Sequence, residues 1–174
     1  MSRRAEQAAE TLLRELGIDE LPIDVEHVAR QCGAIVTRER FRRDLSGLLV
    51  RGDTATPGST VIGVNSTHHP RRQRFTIAHE IGHYRLHRGK VTVDSGLRVD
   101  YRDEAATARV QDERDANAFA ASLLMPTAMV AREADPLVRA GATRSVLISD
   151  LAKIFDVSEE AMGYRLLNLG FLSY

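Results

Sequence analysis

One cysteine, Cys32, is all that the 174 residues contain, which excludes an internal disulfide framework and any cysteine-based zinc cluster and points to a reducing compartment. Charge of one sign is missing too. The 24 basic residues balance 24 acidic ones, so no overall field draws the protein to nucleic acid or to an anionic membrane. No run of about 18 apolar residues occurs, and Met1-Ser2-Arg3-Arg4 leads into a charged amphipathic stretch without the apolar core of a signal peptide. A cytoplasmic protein is expected. Repeats, low-complexity tracts and linkers are likewise absent, and 43% apolar composition over this length suffices for one core but hardly two, so residues 1–174 read as a single domain.

What is present is helical periodicity with a short stretch of strand signal between helices. Ala8, Ala9, Leu12, Leu13 and Leu16 recur at helical spacing over Ala5–Leu16, with Gly17 where a stop belongs. A second helix starts at the N-cap Asp24 and carries Val25, Val28 and Ala29 toward Gly33. Ala34–Thr37, Leu45–Arg51 and Thr60–Val64 then read as strands around a turn at Gly52–Ser59, which predicts a small three-stranded antiparallel sheet. A long helix opens at Pro70 and closes near Gly89. Lys90–Asp103 has no clear period and reads as loop with room for one strand. Further helices are expected over Ala106–Leu124, Ala128–Glu133, Val146–Phe155 and Ser158–Leu169. The expected class is α+β: mostly helical, with the sheet packed on the long helix.

The long helix carries the chemistry. His79-Glu80-Ile81-Gly82-His83 is a His-Glu-x-x-His motif, and residues four apart on a helix stack on one face about 6 Å apart along the axis. Two imidazoles so placed can grip one metal ion, while Glu80, one position round from His79, overlooks the open coordination site where a base is needed. Phe75, Ile77, Ala78, Ile81, Gly82, Tyr84 and Leu86 make most of the circumference apolar, so the helix is expected to be buried. Thr76, His79, Glu80, His83 and His87 project into one polar wedge. Polar groups in such a place need partners, and a metal ion would satisfy them. The bland alternative, that the pattern arises by chance among six histidines, does not require a buried helix.

A catalytic zinc site usually takes three protein ligands and leaves one position for water. His87 lies eight residues beyond His79, about 12 Å along one straight axis, too far to share the ion. The third histidine of metzincin-type motifs is missing, so the third ligand must come from another element. On the helix Ala106–Leu124, Val110, Ala116, Ala120, Leu123 and Leu124 fall on one side, with Gln111, Arg114, Asp115 and Ser122 on the other. Glu113 and Asn117 fall in the apolar stripe. Glu113 is therefore the first candidate, with Asn117 placed to orient it or a histidine. Asp112 is the second candidate, and Asp115 reads as a solvated charge. A boundary glutamate paired with an arginine is the alternative for Glu113.

Two blocks, Arg74-Phe75-Thr76-Ile77-Ala78-His79-Glu80-Ile81-Gly82-His83 and Glu113-Arg114-Asp115-Ala116-Asn117-Ala118-Phe119-Ala120-Ala121-Ser122-Leu123-Leu124-Met125-Pro126, together resemble the ImmA/IrrE family of metallopeptidases. The similarity extends over nearly the whole chain: the opening helices through Pro22-Ile23-Asp24-Val25 resemble the family's start, and Leu151–Ser158 with Met162, Arg165-Leu166 and Leu169-Gly170 resembles its close. The resemblance implies a zincin-like fold, metal held by His79, His83 and Glu113, and Glu80 as the catalytic residue. It also implies a partner: a helix-turn-helix repressor of the phage-repressor type, cut or otherwise inactivated, in the switching of mobile elements, stress responses or toxin–antitoxin operons. With no further DNA-binding module in the sequence, that partner is expected to be a separate chain.

On this reading Zn2+, or Mn2+ as the alternative, binds the histidines and the carboxylate, and Glu80 takes a proton from water and passes it to the leaving nitrogen. Tyr84, His87 and Tyr101 are the guesses for an oxyanion donor. Two other classes compete. Val146–Leu169, split at Asp156-Val157-Ser158, is shaped like a DNA-binding helix-turn-helix, but Lys153 and Arg165 face Asp150, Asp156, Glu159 and Glu160, so no direct nucleic-acid contact is expected. The other is a non-proteolytic toxin or antirepressor that binds its regulator stoichiometrically over a structural or idle metal site. Of the remaining histidines, His27 reads as a surface residue, and the His68-His69 pair precedes Pro70, where it could cap the helix. Arg71, Arg72 and Arg74 read as a solvated face or a substrate approach.

Overall fold

Small and apolar side chains at helical spacing decide how the first helix is used. In the computed structural model, which describes residues 2–42, 45–52, 60–87, 91–95 and 104–173, α1 (Arg3–Leu16) buries Ala5, Ala9, Leu12 and Leu13 and is C-capped by Gly17. Helix α2 (Val25–Gln31) starts where the Asp24 carboxylate accepts from the backbone N–H groups of Glu26 and His27.

The sheet departs from the sequence expectation in two ways. It has four described strands, β1 (Ala34–Glu39), β2 (Leu45–Val50), β3 (Thr60–Asn65) and β4 (Val91–Ser95), in the order β1-β3-β2-β4. It is also mixed and not purely antiparallel, because β1 pairs parallel to β3, Ile35 opposite Val61, while β2 runs antiparallel to both β3 and β4. Burial explains the order. In β3, Thr60, Ile62, Val64 and Asn65 are all closed off from solvent, so this strand takes an interior place, whereas β1 exposes Ile35, Arg38 and Glu39 and stays at an edge. Once β3 separates β1 from β2, a chain running up, down and up again makes β1 and β3 parallel. Strand β4 falls within Lys90–Asp103, and the long helix ends at Leu86, a little before the stop expected near Gly89; Gly89, Lys90, residues 96–103 and residues 53–59 of the expected turn lie outside the described residues.

Helix α3 (Pro70–Leu86) packs on β2 and β3 and crosses α4 (Glu104–Leu124), which also packs against α1. This second cover buries Ser122 completely, although projection placed it on the polar side of α4. Helix α5 (Thr127–Arg139) runs past the expected end at Glu133, with Met129, Val130 and Ala134 in the core and Pro136 within its last turns. Helices α6 (Arg144–Ile154) and α7 (Glu159–Asn168) close the chain. Asp156, in the left-handed region at φ 49, turns α6 toward α7. Its carboxylate accepts from Arg71 Nε at 3.1 Å and lies 3.2 Å from Arg74 Nε, so two of the three arginines read as a solvated face dock α6 and α7 against α3. The buried Arg165 of α7 donates to the Met125 carbonyl, to Thr127 Oγ1 and to Glu6, tying α7 to the α4–α5 junction and to α1. No helix among the described residues is long and apolar enough to cross a membrane.

Candidate metal centre

Pro70 opens α3, and the His69 ring caps it by accepting from the Arg71 N–H at 3.2 Å. From Thr76 to His83 the helix is buried, so Thr76, His79, Glu80 and His83 are interior polar groups, none more than 3% exposed. One helical turn brings His79 Nε2 and His83 Nε2 to 3.0 Å. From α4, Glu113 sets Oε2 3.2 Å from His79 Nε2 and Oε1 3.2 Å from His83 Nε2. The helical projection chose this carboxylate, and the structure brings it to both rings. The other ring nitrogens turn away: His79 Nδ1 lies 3.0 Å from Asn117 Oδ1, one turn beyond Glu113, and His83 Nδ1 lies 3.0 Å from His87 Nδ1.

The donor set fits a divalent ion. A tetrahedral zinc with bonds of about 2.0–2.1 Å holds its ligand atoms about 3.3 Å apart; here the two Nε2 atoms are 3.0 Å apart, each lies 3.2 Å from a different oxygen of the one Glu113 carboxylate, and one ligand atom from each residue falls within 4.8 Å of the others. His79, His83 and Glu113 are the group among the described residues whose ligand atoms converge in this way. Burial pushes the Glu113 carboxyl up, but hydrogen bonds from His79 and His83, with the charge of those rings, outweigh it and hold the group at about 2. The acid therefore stays ionised, as a ligand must.

Glu80 is fully buried against β2. A Cβ added to Gly47 would lie 3.3 Å from Glu80 Oε1 and 2.4 Å from Thr76 Cγ2, so a side chain at this strand position would drive α3 off the sheet. Just past the other end of β2, Arg51 gathers the C-terminal end of α3: Nη1 donates to the Tyr84 carbonyl at 2.9 Å and Nη2 to the His83 and His87 carbonyls at 2.5 and 2.9 Å. The His83 carbonyl also accepts from the His87 N–H at 3.1 Å, and those of Tyr84 and His87 belong to the last turn, whose carbonyls lie beyond the helical ladder. Burial pushes the Arg51 guanidinium down, opposed by Tyr84 and Glu80.

The remaining sequence candidates fall elsewhere. Asp112, the second choice as ligand, lies 3.4 Å from His87 Nε2 and does not reach the cluster. Asp115 accepts from Gln111 at 2.9 Å near the surface. Both His87 ring nitrogens are engaged, by His83 and Asp112, and the Tyr84 ring lies under Arg51 at 5.1 Å. Tyr101 lies outside the described residues. Sequence reasoning missed Gly47 and Arg51. The signal for Gly47 is a glycine inside a strand pattern; Arg51 left none, because a helix-end contact from a strand has no fixed spacing.

A helix bearing His-Glu-x-x-His, laid on a small mixed sheet and crossed by a carboxylate-bearing helix, defines a zincin-like α+β fold with a site suited to metal. A family profile described as Peptidase_M78, IrrE N-terminal-like domain, matches residues 39–167. The chain belongs to that family. It is 38% identical over 112 residues to the radiation response metalloprotease IrrE of Deinococcus radiodurans, covering 63% of this chain and 31% of the relative. The Deinococcus deserti protein of the same name is 39% identical over 112 residues, 37% of its length. The chain thus spans about a third of the length of these curated relatives. Among solved structures, a Mycobacterium tuberculosis transcriptional regulator superposes with a TM-score of 0.64 at 21% identity, over 95% of this chain and 47% of that one. That likeness is one of fold.

Proposed function

We propose that the protein is a zinc-dependent endopeptidase in which His79, His83 and Glu113 hold the ion and Glu80 is the catalytic base. One observation carries this reading: two Nε2 atoms and a carboxylate from a separate helix lie within 3.2 Å of one another beside a fully buried glutamate. The names of the Deinococcus relatives, radiation response metalloproteases, support it. Bound zinc supplies Lewis acidity toward water and the scissile carbonyl. Manganese suits the same donors. Glu80 takes the proton of the attacking water, holds it on its carboxyl group in the water-poor space between α3 and β2, and delivers it to the leaving nitrogen. His79 and His83 would hold the ion as neutral imidazoles through Nε2, and Glu113 would offset one of its two positive charges, leaving a net positive centre to polarise water and the carbonyl.

The proposed substrate is a helix-turn-helix repressor of the phage-repressor type, whose loss switches a mobile element, a stress response or a toxin–antitoxin operon. Its support is the family likeness. A cleft of about 760 Å³, lined by Asn117 beside His79 and by Phe75, Leu124, Met125 and Tyr164, has room for side chains of a bound polypeptide. The acidic first turn of α7, with Glu159 and Glu160, opposes phosphate contacts and favours a protein partner over DNA. The test is incubation of the zinc-loaded protein with a purified repressor encoded beside its gene, with mass analysis of the products. Fragments that disappear with a chelator and with Glu80→Gln are expected. An intact repressor in a stable complex would select the stoichiometric binding reading instead.

A further inference from the structure

His87 is excluded as a ligand by its distance along the helix, yet its ring is turned toward the centre. It is the C-cap of α3, with extended backbone at φ −118 and ψ 161, while its N–H still donates to the His83 carbonyl at 3.1 Å. Its ring centroid lies 5.1 Å from that of His83. The Nδ1 atoms of the two rings are 3.0 Å apart, and His87 Nε2 lies 3.4 Å from Asp112 Oδ1. Arg51 fixes the frame from behind through the His83 and His87 carbonyls.

These contacts allow one arrangement of hydrogens. If His83 offers the Nε2 lone pair to an ion, its hydrogen is on Nδ1 and points at His87. His87 Nδ1 must then accept, so the His87 hydrogen is on Nε2, facing the Asp112 carboxylate. We infer that His87 and Asp112 form a positioning relay that fixes the tautomer and ring orientation of His83, an inference that rests on reading His79, His83 and Glu113 as metal ligands. Helix α4 then serves the centre twice through adjacent residues, Glu113 directly and Asp112 through His87. The two ligand histidines are held unequally: His79 is oriented by the neutral amide of Asn117, His83 by a chain that ends on a carboxylate.

The test uses the full chain and zinc itself, with affinity measured by competition against a chromogenic chelator and geometry read from the visible spectrum after cobalt substitution. His87→Leu fills the space without a ring nitrogen and should weaken zinc binding tenfold to a hundredfold, the range for loss of such an outer partner, with an altered cobalt spectrum. His87→Gln can accept from His83 through its oxygen and donate to Asp112 through its nitrogen, so it should restore most of the affinity. Asp112→Asn should fall between. Nitrogen-15 spectra of the zinc-loaded protein should show His83 protonated at Nδ1 and His87 at Nε2. Zinc affinity and cobalt spectrum unchanged in His87→Leu, or His87→Gln as weak as His87→Leu, would overturn the relay, and so would the opposite His87 tautomer. If His87→Leu does not fold, the comparison of His87→Gln, Asp112→Asn and wild type decides by the same criteria. The ligand reading fails separately: there His79→Ala and Glu113→Ala would bind zinc as wild type does.

Discussion

Gly82 and Ala116 meet where α3 crosses α4: a Cβ built on Gly82 would fall 3.2 Å from both the Ala116 Cα and its carbonyl oxygen. The same atom would be 3.2 Å from Phe119 Cβ, so two of the three contacts are backbone that cannot rotate aside. Gly82 stands between the two histidines in sequence, and Ala116 lies one turn beyond Glu113. The closeness of this crossing is what lets a carboxylate on one helix reach imidazoles on the other.

Gly82→Ala should therefore push the helices apart by a few tenths of an ångström at the crossing and draw Glu113 back. Overpacking of this kind destabilises by about 1–3 kcal/mol. Zinc affinity should fall along with stability, read by chelator competition and urea unfolding. A variant with wild-type values for both would show that the crossing does not set the ligand geometry.

Glu80→Gln keeps the shape of the side chain in its place against Gly47 and removes its basicity. Zinc affinity should change little, whereas cleavage of a substrate should drop by about 10²–10⁴-fold, the range for loss of a general base. Retained cleavage at the wild-type rate would reassign the base.

Acid should act on the metal-free protein through Glu113. Its carboxyl is held at about 2 against an ordinary 4.5, a depressed value, so the stability it contributes is complete above about 4.5 and is lost as pH falls toward 2. With 40% of the side chain exposed, solvent screening limits the size of the effect. The stability difference between metal-free wild type and Glu113→Gln, from urea unfolding at pH 6 to 3, should shrink as pH drops below about 4.5. A difference constant across that range would contradict the pairing with His79 and His83.

Asp156 joins the last two helices to the helix that bears the motif, through Arg71 and Arg74. Asp156→Ala loses both partners and places alanine in the left-handed region, at a cost of about 1–2 kcal/mol. Asp156→Asn keeps a residue tolerant of that conformation and should lose less. Urea midpoints of the two variants give the order, and equal midpoints would assign the whole effect to the lost carboxylate.

What could be read before the structure is what repeats along the chain. The helical period placed α3 and α4 to within a few residues, His79 and His83 follow from a spacing of four, and Glu113 follows from facing inward on α4. The sheet was harder. Pairing between β1 and β3 joins residues such as Ile35 and Val61 that share no local signal, and the burial of β3 that puts it between β1 and β2 depends on helices packed from elsewhere. Ser122 shows the same limit, since projection of one helix cannot count how many neighbours cover it.

Sequence alone determined which candidate side chains, His79, His83 and Glu113, each helix presents on one face, because the geometry of an α-helix turns spacing into direction with no help from the rest of the chain. Tertiary structure alone decided the approach of Glu113 past Gly82, the seating of Glu80 on Gly47, the Arg51 cap and the turn of His87 toward Asp112. Each of these is a distance between two elements, set by how closely their surfaces pack, and no period within either element encodes it.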